Sequence, residues 1–178
     1  MKAKRSNFEL PRVFSRNLVR RALNVTICVL SLFHLAGCVT QPSQGIQAMI
    51  HQMGSQVMPF DLNKTQHVFQ MTDNGGIQMV VVRDSKYTDQ ISLIRQHLQH
   101  EAIFFQRGNF SDPTALHGAS MAGISELSKG AANIRIEYSE LTDGAQIAFM
   151  TDDIHLITAI HRWFGVQLSE HGSDATSR

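Results

Sequence analysis

The fold depends on the stretch Asp89-Gln-Ile-Ser-Leu-Ile-Arg-Gln-His-Leu-Gln-His-Glu-Ala-Ile-Phe-Phe105, in which apolar residues recur at helical spacing. At about 100° per residue, the apolar positions form one arc on the predicted helix. His97 and Glu101 are four residues apart and fall inside that arc, so the sequence predicts that both are buried. A buried carboxylate needs a charged or hydrogen-bonding partner, and this pair is therefore the first candidate for a functional site.

The sequence on either side of this helix predicts two copies of one unit, each a β-hairpin followed by a helix. The first hairpin spans residues 65–82 around the turn Asp73-Asn-Gly-Gly76, and the second spans residues 133–150 around Thr142-Asp-Gly144. A second helix is predicted from about Asp153 to Ser169. We therefore expect an α+β fold with a four-stranded antiparallel sheet and both helices on one face of it.

The two predicted helices also open alike, with Asp89-Gln-Ile-Ser-Leu-Ile94 matching Asp152-Asp-Ile-His-Leu-Ile157. Aligning them at a shift of 63 residues places His97 and Glu101 on apolar core positions of the second helix. The same alignment places His161 on an apolar position of the first helix. We therefore predict that all three polar side chains occupy core positions.

These core positions predict a metal or small-ligand site. His67 shares its strand face with Phe69, on the side that we expect to meet the helices, and the loop between the two units can supply a further histidine. The candidate ligands are His67, His97, Glu101, His161 and His117. Imidazole and carboxylate ligands suit a transition metal such as zinc or copper, and such a site needs no thiolate.

Four other aromatic or histidine side chains of the predicted helices are not expected to take part in a site. Trp163, His155, His100 and His171 are expected to face solvent or to pack at the edges of the domain.

The alternative to a binding site is a purely structural role for His97 and Glu101, because a His and a Glu four residues apart can simply hydrogen-bond to each other.

Residues 1–37 have the pattern of a bacterial export signal. Residues 1–21 carry seven Lys/Arg and a single acid, residues 22–34 form a short apolar run, and Leu35-Ala-Gly-Cys38 follows. These last four residues resemble the lipobox of bacterial lipoprotein precursors. The resemblance implies cleavage before Cys38, attachment of acyl chains such as palmitate to that residue, and a protein anchored in the membrane of the bacterial envelope. Val39 favours the outer membrane, facing the periplasm.

Removing the predicted signal changes the charge of the chain. Seven of the 16 Lys/Arg and one of the 15 Asp/Glu lie in residues 1–37, so nine basic and 14 acidic residues remain, with a formal charge of −5. An acidic domain of this kind has no electrostatic footprint for nucleic acid. Cys28 lies in the signal and Cys38 would be acylated, which leaves no thiol for a disulfide or a thiolate metal site.

The rest of the chain divides into three predicted segments. Residues 38–58 are rich in Gln, Ser and Met and predict a lipidated tether, in which a short amphipathic helix can begin near Ser43. Residues 59–172 predict a single domain, and the small polar residues 173–178 predict a disordered tail. Between the two units, Asp112-Pro113 predicts a helix start, and Ser120 to Ser128 predicts a second short helix.

Three classes of function remain open. The sequence has no phosphate-binding glycine loop and no Gly-x-Ser-x-Gly elbow, and His97-Leu-Gln-His100-Glu101 lacks the spacing of a zinc protease. We expect an envelope protein that binds a metal ion or small ligand. A structural or protein-interaction role with a purely structural His/Glu network is the alternative, and a small periplasmic enzyme is third.

Three motifs carry a resemblance to a known group of proteins. They are Arg95-x-His97-Leu-x-x-Glu101-Ala, Asp112-Pro-x-x-x-His117-Gly-x-x-Met121 and His161-x-Trp-Phe164. They resemble a group of small uncharacterised bacterial exported proteins over about Pro59 to Gly172, and the resemblance implies no activity. Some members carry an aspartate carbamoyltransferase label. This chain is far too short for that enzyme and lacks its Ser-Thr-Arg-Thr phosphate-binding motif, so the label does not apply.

Overall fold

The computed structural model describes residues 44–178, and the predicted signal and the predicted lipidation site at Cys38 lie outside this range. The α-helices of the described range are α1 (Gln44–Val57), α2 (Thr88–Gln106), α3 (Ser111–His117), α4 (Ile124–Gly130) and α5 (Ile154–His171). The strands are β1 (Thr65–Thr72), β2 (Gly75–Val82), β3 (Arg135–Leu141), β4 (Gly144–Met150) and β5 (Ala175–Ser177). From residue 44 onwards, no helix combines the length and the apolarity needed to cross a bilayer.

The predicted α+β class is confirmed, but the predicted extent of the sheet is wrong. The sheet has five strands in the order β3-β4-β2-β1-β5. The first four are antiparallel to their neighbours, whereas β5 lies parallel to β1 and makes the sheet mixed. The fifth strand comes from the segment expected to be a disordered tail. The three small residues of β5 show no apolar alternation, so only their pairing with His67 to Phe69 of β1 defines the strand.

The two hairpins form around the turns that the sequence predicts. Thr72 pairs with Gly75 in the first hairpin and Leu141 pairs with Gly144 in the second, so each turn has two residues. Gly75 has a φ of +142°, a conformation that only glycine adopts without strain. The turn residues therefore fix both the strand register and the face on which each side chain lies.

Both long helices cover the same face of the sheet. Phe149 of β4 contacts Phe105 of α2 and also Trp163 of α5. Each helix lies mainly over the hairpin of the other unit, α2 over β3 and β4, and α5 over β1 and β2. Arg95 of α2 donates hydrogen bonds to the carbonyls of Leu141 and Gly144 at the second turn, at 2.6 and 3.2 Å. Each helix therefore packs on the hairpin of the other unit, and both cover one apolar core.

Helix α1 belongs to the domain, although the sequence places it in a tether. Ile50 and Gly54 are buried where α1 contacts α3 and α5. Just after the helix, Met58 is buried in the core. His51 bonds to the carboxylate of Asp174 over 2.5 Å and links α1 to the segment before β5. The helix therefore forms one wall of the space that α2, α3 and α5 enclose.

Candidate metal centre

A small cavity lies between the sheet and the helices α1, α2, α3 and α5, with a volume of about 40 Å³. A buried water needs roughly 10–15 Å³ of such space, so the cavity has room for about three water-sized groups. Six ionisable side chains line it: His67, His97, Glu101, Asp112, His117 and His171. This concentration of titratable groups in an otherwise apolar interior makes the cavity the candidate functional site.

His97, Glu101 and Asp112 form a group that could hold a metal ion. One ligand atom from each lies within 4.8 Å of the other two. His97 and Glu101 are neighbours because residues four apart share a helix face, whereas Asp112 comes from the first turn of α3. Phe110, just before α3, stacks on Phe105 of α2 with ring centroids 4.7 Å apart. This contact holds the start of α3 against α2.

Glu101, the buried carboxyl group of this set, holds its proton more tightly than a free carboxyl group does. Glu101 is 4% exposed. Burial, the charge of Asp112 and a hydrogen bond with Asp112 raise the pKa of Glu101 from 4.5 to about 8. Since carboxylate oxygens only accept hydrogen bonds, this contact forms when one of the two groups is protonated. A divalent cation would take the place of that proton.

Three histidines of the cavity, His67, His97 and His171, have lowered pKa values that favour their neutral form. Burial, together with the charge of His97, lowers the pKa of His67 from 6.5 to about 4. Burial also lowers the pKa of His97 to about 4, although the charge of Asp112 opposes the shift. Burial lowers the pKa of His171 far below its usual range, with help from neighbouring histidines. Neutral imidazole offers the lone pair that metal ions bind.

The inner end of the cavity contains a chain of imidazole contacts. The His67 ring stacks on the His171 ring with centroids 5.2 Å apart. His171 Nε2 lies 3.1 Å from His117 Nε2. On its other side, His117 Nδ1 lies 2.6 Å from Glu170 Oε2, whose side chain reaches solvent. Three elements, β1, α3 and α5, therefore meet through their histidines.

Several polar atoms in this cavity have no hydrogen-bond partner. Among the described residues, five buried side-chain nitrogen or oxygen atoms lack a partner, and four of them belong to residues that line the cavity. The four are Glu101 Oε1, His67 Nδ1, His171 Nδ1 and Gln78 Oε1. Each such group costs about 1–3 kcal/mol when left unsatisfied. These four residues line one space, which makes it the candidate binding site.

Solvent reaches the metal-ligand group from the side of His97 and Asp112. Both residues also line an outer depression that is more open than the cavity. Val57, Pro59 and His100 form other parts of its wall. His97 and Asp112 therefore lie between this depression and the buried Glu101.

His161 does not belong to the cavity, so its predicted place in the cluster is wrong. Its Nε2–H donates to the carbonyl oxygens of Thr72 and Gly75 at 3.1 and 2.8 Å. These carbonyls belong to the turn of the first hairpin. His161 thus fastens α5 to that hairpin, as Arg95 fastens α2 to the other one.

His161 lies outside the cavity because the predicted alignment of the two long helices is off by one residue. The buried positions of α2 and α5 correspond at a shift of 62: Ile94 to Leu156, Leu98 to Ile160 and Ala102 to Phe164. At this shift Glu101 corresponds to the buried Trp163, and His161 falls beside the buried stripe.

Two residues of the cavity do not follow from the sequence reasoning. Asp112 receives only the role of a helix start, and His171 is expected at the surface, yet His171 is 4% exposed. Trp163, also expected outside the core, is 1% exposed. His171 follows the core residue Phe164 by seven positions, which places both on one helix face. That spacing is the signal for His171, whereas Asp112 meets α2 only through the tertiary fold.

The donor set of His97, Glu101 and Asp112 is one nitrogen and two carboxylate oxygens. Zinc and the other late first-row divalent ions accept such sets, whereas magnesium and calcium prefer oxygen alone. The resemblance to the group of exported proteins stays a prediction. No protein-family model, no curated protein and no solved structure matches this chain.

Proposed function

We propose that this domain binds a divalent transition-metal ion, with zinc as the first candidate, through His97, Glu101 and Asp112. The observation that supports this most is the convergence of three ligand atoms within 4.8 Å. The ligands come from two helices that pack on one core, so the geometry is held without the ion. A cavity of about 40 Å³ suits an ion with its water better than an organic ligand, which typically needs about 300 Å³ or more.

The electrostatics of the carboxyl pair favour a cation over a purely structural network. Burial and the neighbouring Asp112 favour the protonated form of Glu101, and a divalent ion would relieve the repulsion that opposes its ionisation. The ion and the proton compete for the same oxygens. Because the pKa of Glu101 is raised to about 8, the metal affinity should fall as the pH is lowered below that value.

Zinc binding by the full chain tests the proposal. The protein is purified in detergent without a histidine tag, stripped with a chelator and titrated with Zn²⁺, and the bound metal is measured by mass spectrometry. We expect the wild-type protein to retain zinc. Glu101→Gln and Asp112→Asn should each weaken binding by at least about 100-fold, since changes to groups that merely orient ligands already cost about 10–100-fold.

The matched control is His155→Ala. His155 is an exposed histidine at the start of α5, and removing it should leave zinc binding unchanged. Zinc binding that is equal in the wild-type, Glu101→Gln and Asp112→Asn proteins would contradict the proposed ligands. A wild-type protein that binds no zinc, copper, nickel, cobalt, iron or manganese would instead favour the structural His/Glu network.

We also propose that the protein is a lipoprotein of the bacterial envelope, anchored through Cys38. The support is the order of basic residues, apolar run and lipobox in residues 1–38. Cys38→Ser should block both processing and acylation, and the wild-type protein should need detergent for extraction. Intact mass measurement of the wild-type protein decides the matter. An unacylated wild-type chain that still begins at Met1 would reject the anchor.

We further infer that the two hairpin–helix units arose by duplication. The strand pairs of the two hairpins correspond at a constant shift of 69 residues, which maps Thr72 and Gly75 onto Leu141 and Gly144. Both glycines lie where a Cβ atom would collide with a backbone carbonyl of the opposite central strand. The helices correspond at a shift of 62, so the second unit has a shorter connection.

A further inference from the structure

We propose that a small uncharged molecule binds in the outer depression and presents an oxygen atom to the metal ion as its fourth ligand. The depression is the space lined by Val57, Pro59, Gln96, His97, His100 and Asp112. The inference rests on the proposed metal site, because it names what that site binds beyond the ion. Amides and esters are the class of molecule that fits.

The metal site has three protein ligands, and this number leaves the ion incompletely coordinated. His97, Glu101 and Asp112 each offer one atom, and within residues 44–178 no fourth histidine, cysteine, aspartate or glutamate joins the group within 4.8 Å. Structural zinc sites are closed by four protein ligands, whereas sites with three keep a position for water or an exogenous ligand. The site is therefore of the open type.

Two of the three ligands line both the cavity and the depression. His97 and Asp112 line the two spaces, while Glu101 lines the cavity alone. Glu101 is buried, and His97 and Asp112 are each partly exposed. An ion held by all three lies at the boundary between the two spaces, so its fourth position belongs on the side of the depression.

The depression has the size of a site for an organic molecule. Its volume is about 460 Å³, compared with about 40 Å³ for the cavity. Small-molecule sites typically measure about 300–1,000 Å³. A molecule in the depression can therefore give one oxygen to the ion while the rest of the molecule stays outside the cavity.

The walls of the depression favour an uncharged, partly apolar molecule. Val57 and Pro59 are apolar, and the Gln96 amide can both donate and accept hydrogen bonds. His100, whose ring packs on Phe104 with centroids 4.1 Å apart, offers a ring nitrogen. In the described part of the chain, no lysine or arginine lines this depression. A phosphorylated compound would thus lack the cationic partners that phosphate groups usually have in proteins.

Hydroxamic acids test the proposal, because they resemble amides and bind metal ions through oxygen. The full chain is stripped with a chelator in detergent and loaded with Co²⁺, whose absorption spectrum responds to its ligands. It is then titrated with acetohydroxamic or benzohydroxamic acid, and mass spectrometry checks that the metal stays bound. We expect both acids to change the spectrum. Benzohydroxamic acid should bind about tenfold more tightly, because its ring packs against Val57 and Pro59. Inorganic phosphate at the same concentrations should not change the spectrum.

Gln96→Trp and Gln99→Trp form a matched pair of variants on the surface of α2. Gln96 lines the depression, whereas Gln99 is exposed outside it. Gln96→Trp should fill part of the depression and weaken the binding of benzohydroxamic acid by at least about tenfold, or about 1.4 kcal/mol. Gln99→Trp should leave this affinity unchanged, and both variants should bind Co²⁺ as the wild-type protein does.

The outcomes separate this proposal from the metal site itself. A wild-type protein that binds Co²⁺, but whose spectrum neither hydroxamic acid changes, would overturn the fourth ligand while the metal site stands. Phosphate binding as tight as that of benzohydroxamic acid, or equal affinities in the Gln96→Trp and Gln99→Trp proteins, would also overturn it. A wild-type protein that binds no metal ion would reject both proposals.

Discussion

At pH 8 the metal-free Glu101→Gln protein should be more stable than the wild-type protein, by up to about 4 kcal/mol in the free energy of unfolding. Burial and the neighbouring Asp112 raise the pKa of Glu101 from 4.5 to about 8, and each pKa unit corresponds to about 1.4 kcal/mol. The wild-type protein at pH 8 has to retain a proton or bury a second charge. Gln keeps the shape of the protonated acid, donates to Asp112 and does not ionise.

The dependence on pH gives this prediction its direction. Between about pH 4.5 and 8 the folded protein keeps the Glu101 proton that the unfolded chain releases, so this group makes stability fall as the pH rises. His67 and His97 act in the opposite sense. Their folded pKa values are about 4, so the unfolded chain binds their protons between about pH 4 and 6.5, and stability rises with pH there. The lowered pKa of His171 adds to this rise.

The wild-type protein without metal should therefore be most stable near pH 6.5, where the histidines have lost their effect and Glu101 begins to dominate. Chemical denaturation in the presence of a chelator, from pH 5 to 8.5, measures both proteins. The stability of the Glu101→Gln protein should not decline above pH 6.5. The difference in stability between the two proteins should narrow towards pH 5. If stability depended on pH in the same way in both proteins, the pKa of Glu101 would not be raised in the folded protein, and the prediction would be wrong.

Trp163→Ala should lower the free energy of unfolding by about 3–5 kcal/mol. Trp163 is 1% exposed and is among the largest fully buried side chains. Its ring makes edge contacts with three phenylalanines, Phe105 of α2, Phe110 just before α3 and Phe149 of β4, at centroid distances of 5.6, 5.5 and 5.4 Å. Truncation leaves a cavity where α2, α5 and the sheet meet, and a domain of ordinary stability, about 5–15 kcal/mol, would come close to unfolding.

Trp163→Phe is the matched control. It keeps an aromatic ring in the core and removes the indole Nε1, which has no hydrogen-bond partner in the described structure. Trp163→Phe should lower the free energy of unfolding much less than Trp163→Ala does. Denaturation followed by circular dichroism compares the three proteins, since fluorescence would lose its only tryptophan. If both variants lost the same free energy of unfolding, the aromatic ring at position 163 would not be what stabilises the core.

The hairpins and long helices could be predicted because local sequence determines them. Alternating apolar residues and two glycine turns define the strands, and a period of 3.6 defines α2 and α5. The last strand could not be predicted in this way. Ala175 to Ser177 have no apolar pattern, and they form a strand because Asp174, held by His51 and Arg83, positions them beside β1. The contacts that hold Asp174 come from residues more than 90 positions away in the chain.

The candidate site was predictable only where it lies on one helix. His97 and Glu101 are neighbours by helical spacing alone, and His67 faces the core by strand alternation. Asp112 joins them through packing that no local pattern encodes. His161 was expected in the site because of an error of one residue in matching the two helices, which rotates a helix by about 100°. His171 was expected at the surface, although it lies seven residues after Phe164 on the buried face of α5.

The two edges of the sheet are protected in different ways against joining the sheet of another molecule. On one side β5 occupies the backbone groups of His67 to Phe69, so an incoming strand would have to displace it first. On the other side β3 is the edge strand, and its exposed charges Arg135 and Glu137 pair across 3.2 Å. Charged side chains on an edge strand oppose aggregation. A protein with both edges guarded can be crowded on a surface at high local concentration and still remain a separate folded unit.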